Sequence, residues 1–317
     1  MFLISQHEVS VINTSFNDDI VVTSDCIRNK SRRVECRLCI DACSSGALSI
    51  TSSGTVEIIP DACSGCGGCT AACPVMAITG PFPERQTADD QLYLDAITAP
   101  SVKELLLYYR AGYRTLVVDE NHFAWRDVVE RTNSLLHACH QVPFLMNYYR
   151  HDDNHASAEQ LDVVIARRRF LHIGTVQRYL GKKTSPTNRL ISDIFPDYQL
   201  FSININKNAC SLCSSCLKLC PTGVFHYQNK QLVIESGECV GCKLCQESCP
   251  ESAIEVREEI AKKTQTHYSF NVAFCPRCQN PFPSLNPGEH LCPACSMQEK
   301  LRFTGDRIGM KSLNFSA

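Results

Sequence analysis

The chain has 317 residues, enough for two or more domains, and 44% of them are apolar, which excludes wholesale disorder. Lysine and arginine number 31 against 33 aspartates and glutamates, and the resulting net charge of -2 makes no electrostatic case for nucleic acid. The outlier is cysteine, with 21 residues.

The first residues, Met1 to Glu8, lack a basic segment followed by an apolar core, and no window approaches the roughly 18 apolar residues of a membrane span. This predicts a reducing, cytoplasmic setting without direct membrane insertion, where cysteines bind metal instead of pairing as disulfides.

In chain order, Glu8–Ile12 and Ile20–Thr23 alternate in polarity around the turn-like Asn17, Asp18 and Asp19, predicting a leading hairpin. Cys63, Cys66, Cys69 and Cys73, followed by Pro74, then read C-x2-C-x2-C-x3-C-P without a mismatch. The run before it departs from that pattern. Cys36, Cys39 and Cys43 have the spacing of its last three cysteines, but Ser44 replaces the proline and the first cysteine is displaced to Cys26. The simplest account is an inserted loop carrying Arg28, Lys30, Arg32 and Arg33, either a solvated basic loop or a docking patch.

Residues 81–91 are polar and proline-bearing and predict a linker. Beyond it, Ser101 offers a cap for a helix through Arg110, Thr115–Val118 reads as a buried strand, a helical pattern runs from Trp125 to His140, and Pro143–Met146 follows as a strand. That alternation predicts a small α/β domain over residues 92–200. Cys139 lies on the apolar side of the second helix and reads as packed. His151–His155 reads as a polar loop, and Arg167–Arg169 as a basic face. With no glycine-rich phosphate loop and no nucleophile triad arguable from spacing, no catalytic residue is predicted.

Two further uninterrupted runs follow: Cys210, Cys213, Cys216, Cys220 with Pro221, and Cys239, Cys242, Cys245, Cys249 with Pro250. Residues 209–257 resemble a bacterial-type two-cluster 4Fe-4S ferredoxin. The resemblance implies a pseudo-twofold βαβ pair, with Cys210, Cys213, Cys216 and Cys249 on one cluster and Cys239, Cys242, Cys245 and Cys220 on the other. Carried to the N-terminal runs, it implies one set of Cys26, Cys36, Cys39 and Cys73 and another of Cys63, Cys66, Cys69 and Cys43, with Cys26 the ligand in question.

Last come Cys275, Cys278, Cys292 and Cys295, two C-x2-C knuckles that resemble a zinc ribbon, with Tyr268–Val272 and Lys300–Phe303 as its expected strands. A mononuclear iron is the rival to zinc.

The expected fold is α+β and multidomain: ferredoxin-like modules at 1–80 and 201–258 flanking the α/β domain, then a zinc-ribbon-like segment at 268–305. The expected function is electron transfer through four 4Fe-4S clusters beside one Zn2+, as a non-catalytic subunit of an oxidoreductase complex. Expected partners are an oxidoreductase catalytic subunit, of formate dehydrogenase or hydrogenase type, and a ferredoxin or flavoprotein. A maturation factor for a metalloenzyme and an iron-sulfur redox sensor are the other readings.

Overall fold

A computed structural model describes residues 20–83, 85–94, 99–119, 125–149, 194–285 and 291–299. Glu8–Ile12, His151–His155, Arg167–Arg169 and Lys300–Phe303 lie outside the described residues.

Two segments repeat one order of elements. In the first, β1 (Val21–Val22) pairs antiparallel with β4 (Ile78–Thr79), so this short strand closes the module instead of pairing within a described leading hairpin. Between them lie α1 (Ile27–Lys30), α2 (Leu38–Asp41), the hairpin β2 (Leu48–Ile50) and β3 (Val56–Ile58), and α3 (Gly68–Ala72). In the second segment, β9 (Tyr198–Ile205) pairs antiparallel with β12 (Ile254–Lys262) around α6 (Ser215–Leu219), the hairpin β10 (Phe225–Gln228) and β11 (Gln231–Glu235), and α7 (Leu244–Glu247). Asn229 and Lys230, with φ of 49° and 57°, join β10 to β11 in the two-residue turn whose twist matches paired strands. β13 (Gln265–Ser269) then adds to the free edge of β11.

Between the two segments lies a four-stranded sheet in the order β5 (Gln86–Ala88), β6 (Gln91–Leu94), β7 (Thr115–Asp119), β8 (Leu145–Tyr149). The parallel steps from β6 to β7 and from β7 to β8 are connected through α4 (Val102–Arg110) and α5 (Arg126–Ala138). Ser101 caps α4 by accepting the Glu104 N–H at 3.0 Å, satisfying a donor that the first turn leaves free. Leu92, Leu105, Leu106, Leu116 and Leu136 are fully buried here, each contributing about 1.5–3 kcal/mol relative to exposure. Cys139 joins this core, 1% exposed, and burial pushes its thiol up to about 11.

The expected linker is structured. Its residues 86–88 form β5, and Arg85 before them is buried, its Nε donating to Glu104 Oε1 at 2.7 Å and its Nη2 to Oε2 at 3.3 Å. Tyr108 Oη also donates to the Pro83 carbonyl at 3.1 Å. Composition marked this stretch as polar, but the paired charges and the tyrosine hold it against α4.

Glu104→Ala leaves the Arg85 guanidinium buried without its countercharge, and loss of one partner from such a pair costs about 3–5 kcal/mol. Urea unfolding followed by the fluorescence of Trp125, buried in the same core, should show an earlier midpoint for this variant.

Candidate metal centres

The three uninterrupted cysteine runs share a backbone signature. The residue before the second cysteine and the residue after it are both left-handed: Gly65 and Gly67 (φ 69° and 73°), Leu212 and Ser214 (50° and 65°), Gly241 and Lys243 (68° and 56°). A short helix begins just after each pair, α3, α6 and α7 respectively. At Gly67 the requirement is steric as well, because an added Cβ would stand 2.7 Å from the Phe82 carbonyl carbon and the Pro81 oxygen.

The last cysteine of every run has its own signature, and here the irregular N-terminal run conforms. Three residues on, Gly46, Met76, Gly223 and Ser252 are left-handed, with φ of 67°, 55°, 69° and 48°. In three of the runs the next N–H then donates to the cysteine sulfur: Ala47 to Cys43 Sγ at 3.3 Å, Ala77 to Cys73 Sγ at 3.2 Å, and Ala253 to Cys249 Sγ at 3.3 Å. Such bonds favour the thiolate, the form that binds metal. Burial opposes ionisation of Cys43, yet the Ser45 hydroxyl and the Ala47 and Leu48 N–H groups outweigh it and hold the thiol below its ordinary value.

The irregular run differs only at its front. Arg37, in the place of the left-handed residue after the second cysteine, has φ -129°. The inserted residues form α1 with Cys26 at its N-cap, and Arg28 ties them down, Nε donating to the Cys36 carbonyl at 2.6 Å and Nη1 to the Gly54 carbonyl at 3.0 Å. Cys26 thereby comes to line one cavity with Cys36, Cys39 and Cys73, walled by Val22 and Ile27. Cys210, Cys213, Cys216 and Cys249 line a second, which Cys245 also borders.

Charge coupling traces the remaining neighbours. Burial raises the Cys69 thiol, and the charges of Cys66 and Cys43 raise it further. Cys63 opens this run directly after the 3-10 turn Pro60–Ala62. Burial pushes Cys239 up to about 12, with Cys242 and Cys220 adding to the effect, and Cys245 is raised by burial and then by Cys239, Cys242, Cys220 and Cys216. Cys39 and Cys216 also reach about 12, again chiefly through burial. Thiols gathered in this way resist ionising on their own, and cationic metal sharing the pocket removes that opposition. The residues present therefore fit iron-sulfur clusters, which when bound supply one-electron redox centres.

The C-terminal cysteines form a separate group. The sulfurs of Cys275, Cys278, Cys292 and Cys295 all lie within 4.8 Å of one another, and Cys278 Sγ is 3.8 Å from Cys292 Sγ. Four sulfurs about 2.3 Å from one ion form a tetrahedron with edges of about 3.8 Å, so the donor set fits a single tetrahedral ion. The Cys292 N–H donates to Cys275 Sγ at 3.4 Å and, as the main cause, holds that thiol down at about 6. The supporting hairpin is β14 (Asn271–Phe274) with β15 (Pro281–Ser284); of the expected first strand only Asn271 and Val272 take part, because Tyr268 belongs to β13, which pairs with β11.

Other residues at these centres carry no signal in the sequence. Lys103, on α4, donates to the Cys73 carbonyl at 2.7 Å and contacts Met76 Sδ, placing an ammonium behind one cysteine set. Ser101 Oγ donates to the Ala71 carbonyl at 3.3 Å, so α4 braces the N-terminal module twice.

Gly67→Ala forces about 1–2 kcal/mol of left-handed strain on the chain and adds the clash with Phe82. Iron per chain should fall by roughly one cluster, about 4 atoms. Ser214→Gly, at the matching position with φ 65°, should leave the iron content unchanged.

A family model of the 4Fe-4S dicluster domain matches residues 32–77, and a second of the same description matches residues 202–250. The first match begins after Cys26, so that residue joins the group through geometry alone. Among curated proteins, the chain is 38% identical over 61 residues to the arsenate respiratory reductase iron-sulfur subunit ArrB of Shewanella sp. (strain ANA-3), covering 19% of this chain and 26% of that one. It is 32% identical over 62 residues to pyruvate synthase subunit PorD of Methanothermobacter marburgensis, covering 20% of this chain and 73% of the relative. It is 33% identical over 60 residues to a ferredoxin of Methanothermococcus thermolithotrophicus, covering 18% of this chain and the whole of that protein. The chain spans only about a quarter of ArrB's length. With matching runs, matching turns and a complete small ferredoxin aligned, the chain belongs to the 4Fe-4S dicluster ferredoxins and carries two such domains.

Proposed function

We propose that this protein is an electron relay holding four 4Fe-4S clusters, two in each ferredoxin-like module, and that each module is a pseudo-twofold pair in which the last cysteine of one run serves the cluster of the other. The ligand sets are Cys26, Cys36, Cys39 and Cys73; Cys43, Cys63, Cys66 and Cys69; Cys210, Cys213, Cys216 and Cys249; and Cys220, Cys239, Cys242 and Cys245. The observation that carries this reading is the pair of cavities lined by cysteines from two different runs: Cys26, Cys36, Cys39 and Cys73 line the first, and Cys210, Cys213, Cys216 and Cys249 line the second together with Cys245 of the adjoining set. Four thiolate ligands saturate a cubane, which favours outer-sphere transfer over substrate binding.

The chain's own residues have defined tasks. Val22, Ile27 and Leu212 keep water from the sulfurs, and the N–H groups of Ala47, Ala77 and Ala253 stabilise thiolate charge. Cys275, Cys278, Cys292 and Cys295 hold one structural Zn2+ in a ribbon-like segment, all four positions closed by thiolate.

The relatives include subunits of an arsenate respiratory reductase and of pyruvate synthase, which supports partners of oxidoreductase type. An oxidoreductase catalytic subunit as donor, of formate dehydrogenase or hydrogenase type, and a ferredoxin or flavoprotein as acceptor suit a chain that offers redox centres and no catalytic residue. Among the described residues no helix is long and apolar enough to cross a membrane. The abundance of metal-suited thiols supports residence in the reducing cytoplasm.

Anaerobic titration of the iron-loaded protein with a low-potential reductant, followed by visible absorption, tests the relay. About four electrons per chain should be taken up, one per cluster, and returned to an added one-electron acceptor. Iron-loaded protein that takes up none would overturn the proposal.

A further inference from the structure

The two ferredoxin modules touch each other, far apart though they are in sequence. Leu244, 0% exposed, belongs to the same buried cluster as Ile27, Val34 and Cys39 of the N-terminal module, and Leu219, Val240 and Cys242 pack against that cluster. Two hydrogen bonds reinforce the contact: the Glu35 N–H donates to Glu247 Oε2 at 3.0 Å, and Arg33 Nη1 to the Cys249 carbonyl at 3.4 Å. Arg33 and Glu35 sit on the insertion that displaces Cys26, so the departure from the regular run supplies the docking element.

The packed apolar residues are the sequence neighbours of one cysteine set, while the Arg33 hydrogen bond reaches the Cys249 carbonyl of the other. Leu219 precedes Cys220, Val240 and Cys242 flank Gly241, and Leu244 precedes Cys245. On the facing side, the hydrogen-bonded Arg33 and Glu35 lead directly into Cys36.

We infer that the insertion and α7 lock the modules so that the Cys26/Cys36/Cys39/Cys73 set and the Cys220/Cys239/Cys242/Cys245 set are direct neighbours, placing the four sets in one linear order. That order runs from Cys43/Cys63/Cys66/Cys69, through these two inner sets, to Cys210/Cys213/Cys216/Cys249. Cys213, in the outer set of the second module, is solvent-exposed and opens that end of the order to a partner. The inference rests on the relay reading for its clusters and adds their sequence and the residues that fix it.

Low-temperature EPR of the fully reduced, full-length chain tests it. One variant, Cys63→Ala/Cys66→Ala/Cys210→Ala/Cys213→Ala, keeps the inner sets; another, Cys36→Ala/Cys39→Ala/Cys239→Ala/Cys242→Ala, keeps the outer ones. The first should give a signal split by magnetic interaction between its two clusters, and the second two unsplit signals. No splitting in the first, or equal splitting in both, would overturn the inference. In case these chains lose all their iron, Glu247→Arg provides a second measurement with every cysteine retained. It removes the acceptor of the Glu35 N–H and puts a longer side chain into the contact. Iron content should match the unaltered protein while the splitting between modules disappears; splitting that persists at full iron content contradicts the lock. An unaltered chain that binds iron but shows no such splitting defeats the order alone, whereas one that binds no iron defeats the relay as well.

Discussion

Collecting ionisable sulfur in small, largely apolar pockets is unfavourable unless positive charge enters with it. Every thiolate formed there makes its neighbours harder to ionise, and burial adds to the difficulty, as the raised Cys39, Cys216, Cys239 and Cys245 thiols record. The fold meets part of this with N–H donors aimed at the last cysteine of three runs. The rest falls to the metal. The small hairpins and short helices around the sulfurs offer little core of their own, so metal binding and local folding are coupled.

The surrounding architecture follows from the need to hold these pockets still. α4 presses Ser101 and Lys103 onto the carbonyls of Ala71 and Cys73, and the buried Arg85–Glu104 pair fixes the same helix to the segment that leaves the first module. The α/β layer thereby acts as a brace for the N-terminal module, while the basic insertion and α7 join the two modules directly. A relay gains from such rigidity because electron transfer between centres is sensitive to their separation, and a loose tether would vary it.

The legible parts were those whose information is local. Cysteine spacing and the following proline located three runs because the turns they demand lie within a few residues, and the repeated left-handed positions are their physical expression. Ser101 and the apolar periodicity located α4 for the same reason. Long-range partners were not legible. Residues 81–91 read as a linker because nothing in their composition reveals Glu104 or the path of β5. The insertion with Arg28 and Arg33 read equally as solvated or docking; its targets, the Cys36, Gly54 and Cys249 carbonyls, include one 216 positions away. The first ribbon strand was placed too early because Tyr268 alternates as well for β11 as for β14, and pairing with β11 buries it.

The central claim, that sixteen cysteines cage iron and four cage zinc, is met most directly by metal and acid-labile sulfide analysis of protein purified without oxygen. The account predicts about 16 iron, about 16 sulfide and about 1 zinc per chain. Folded protein with no iron and no labile sulfide would contradict it.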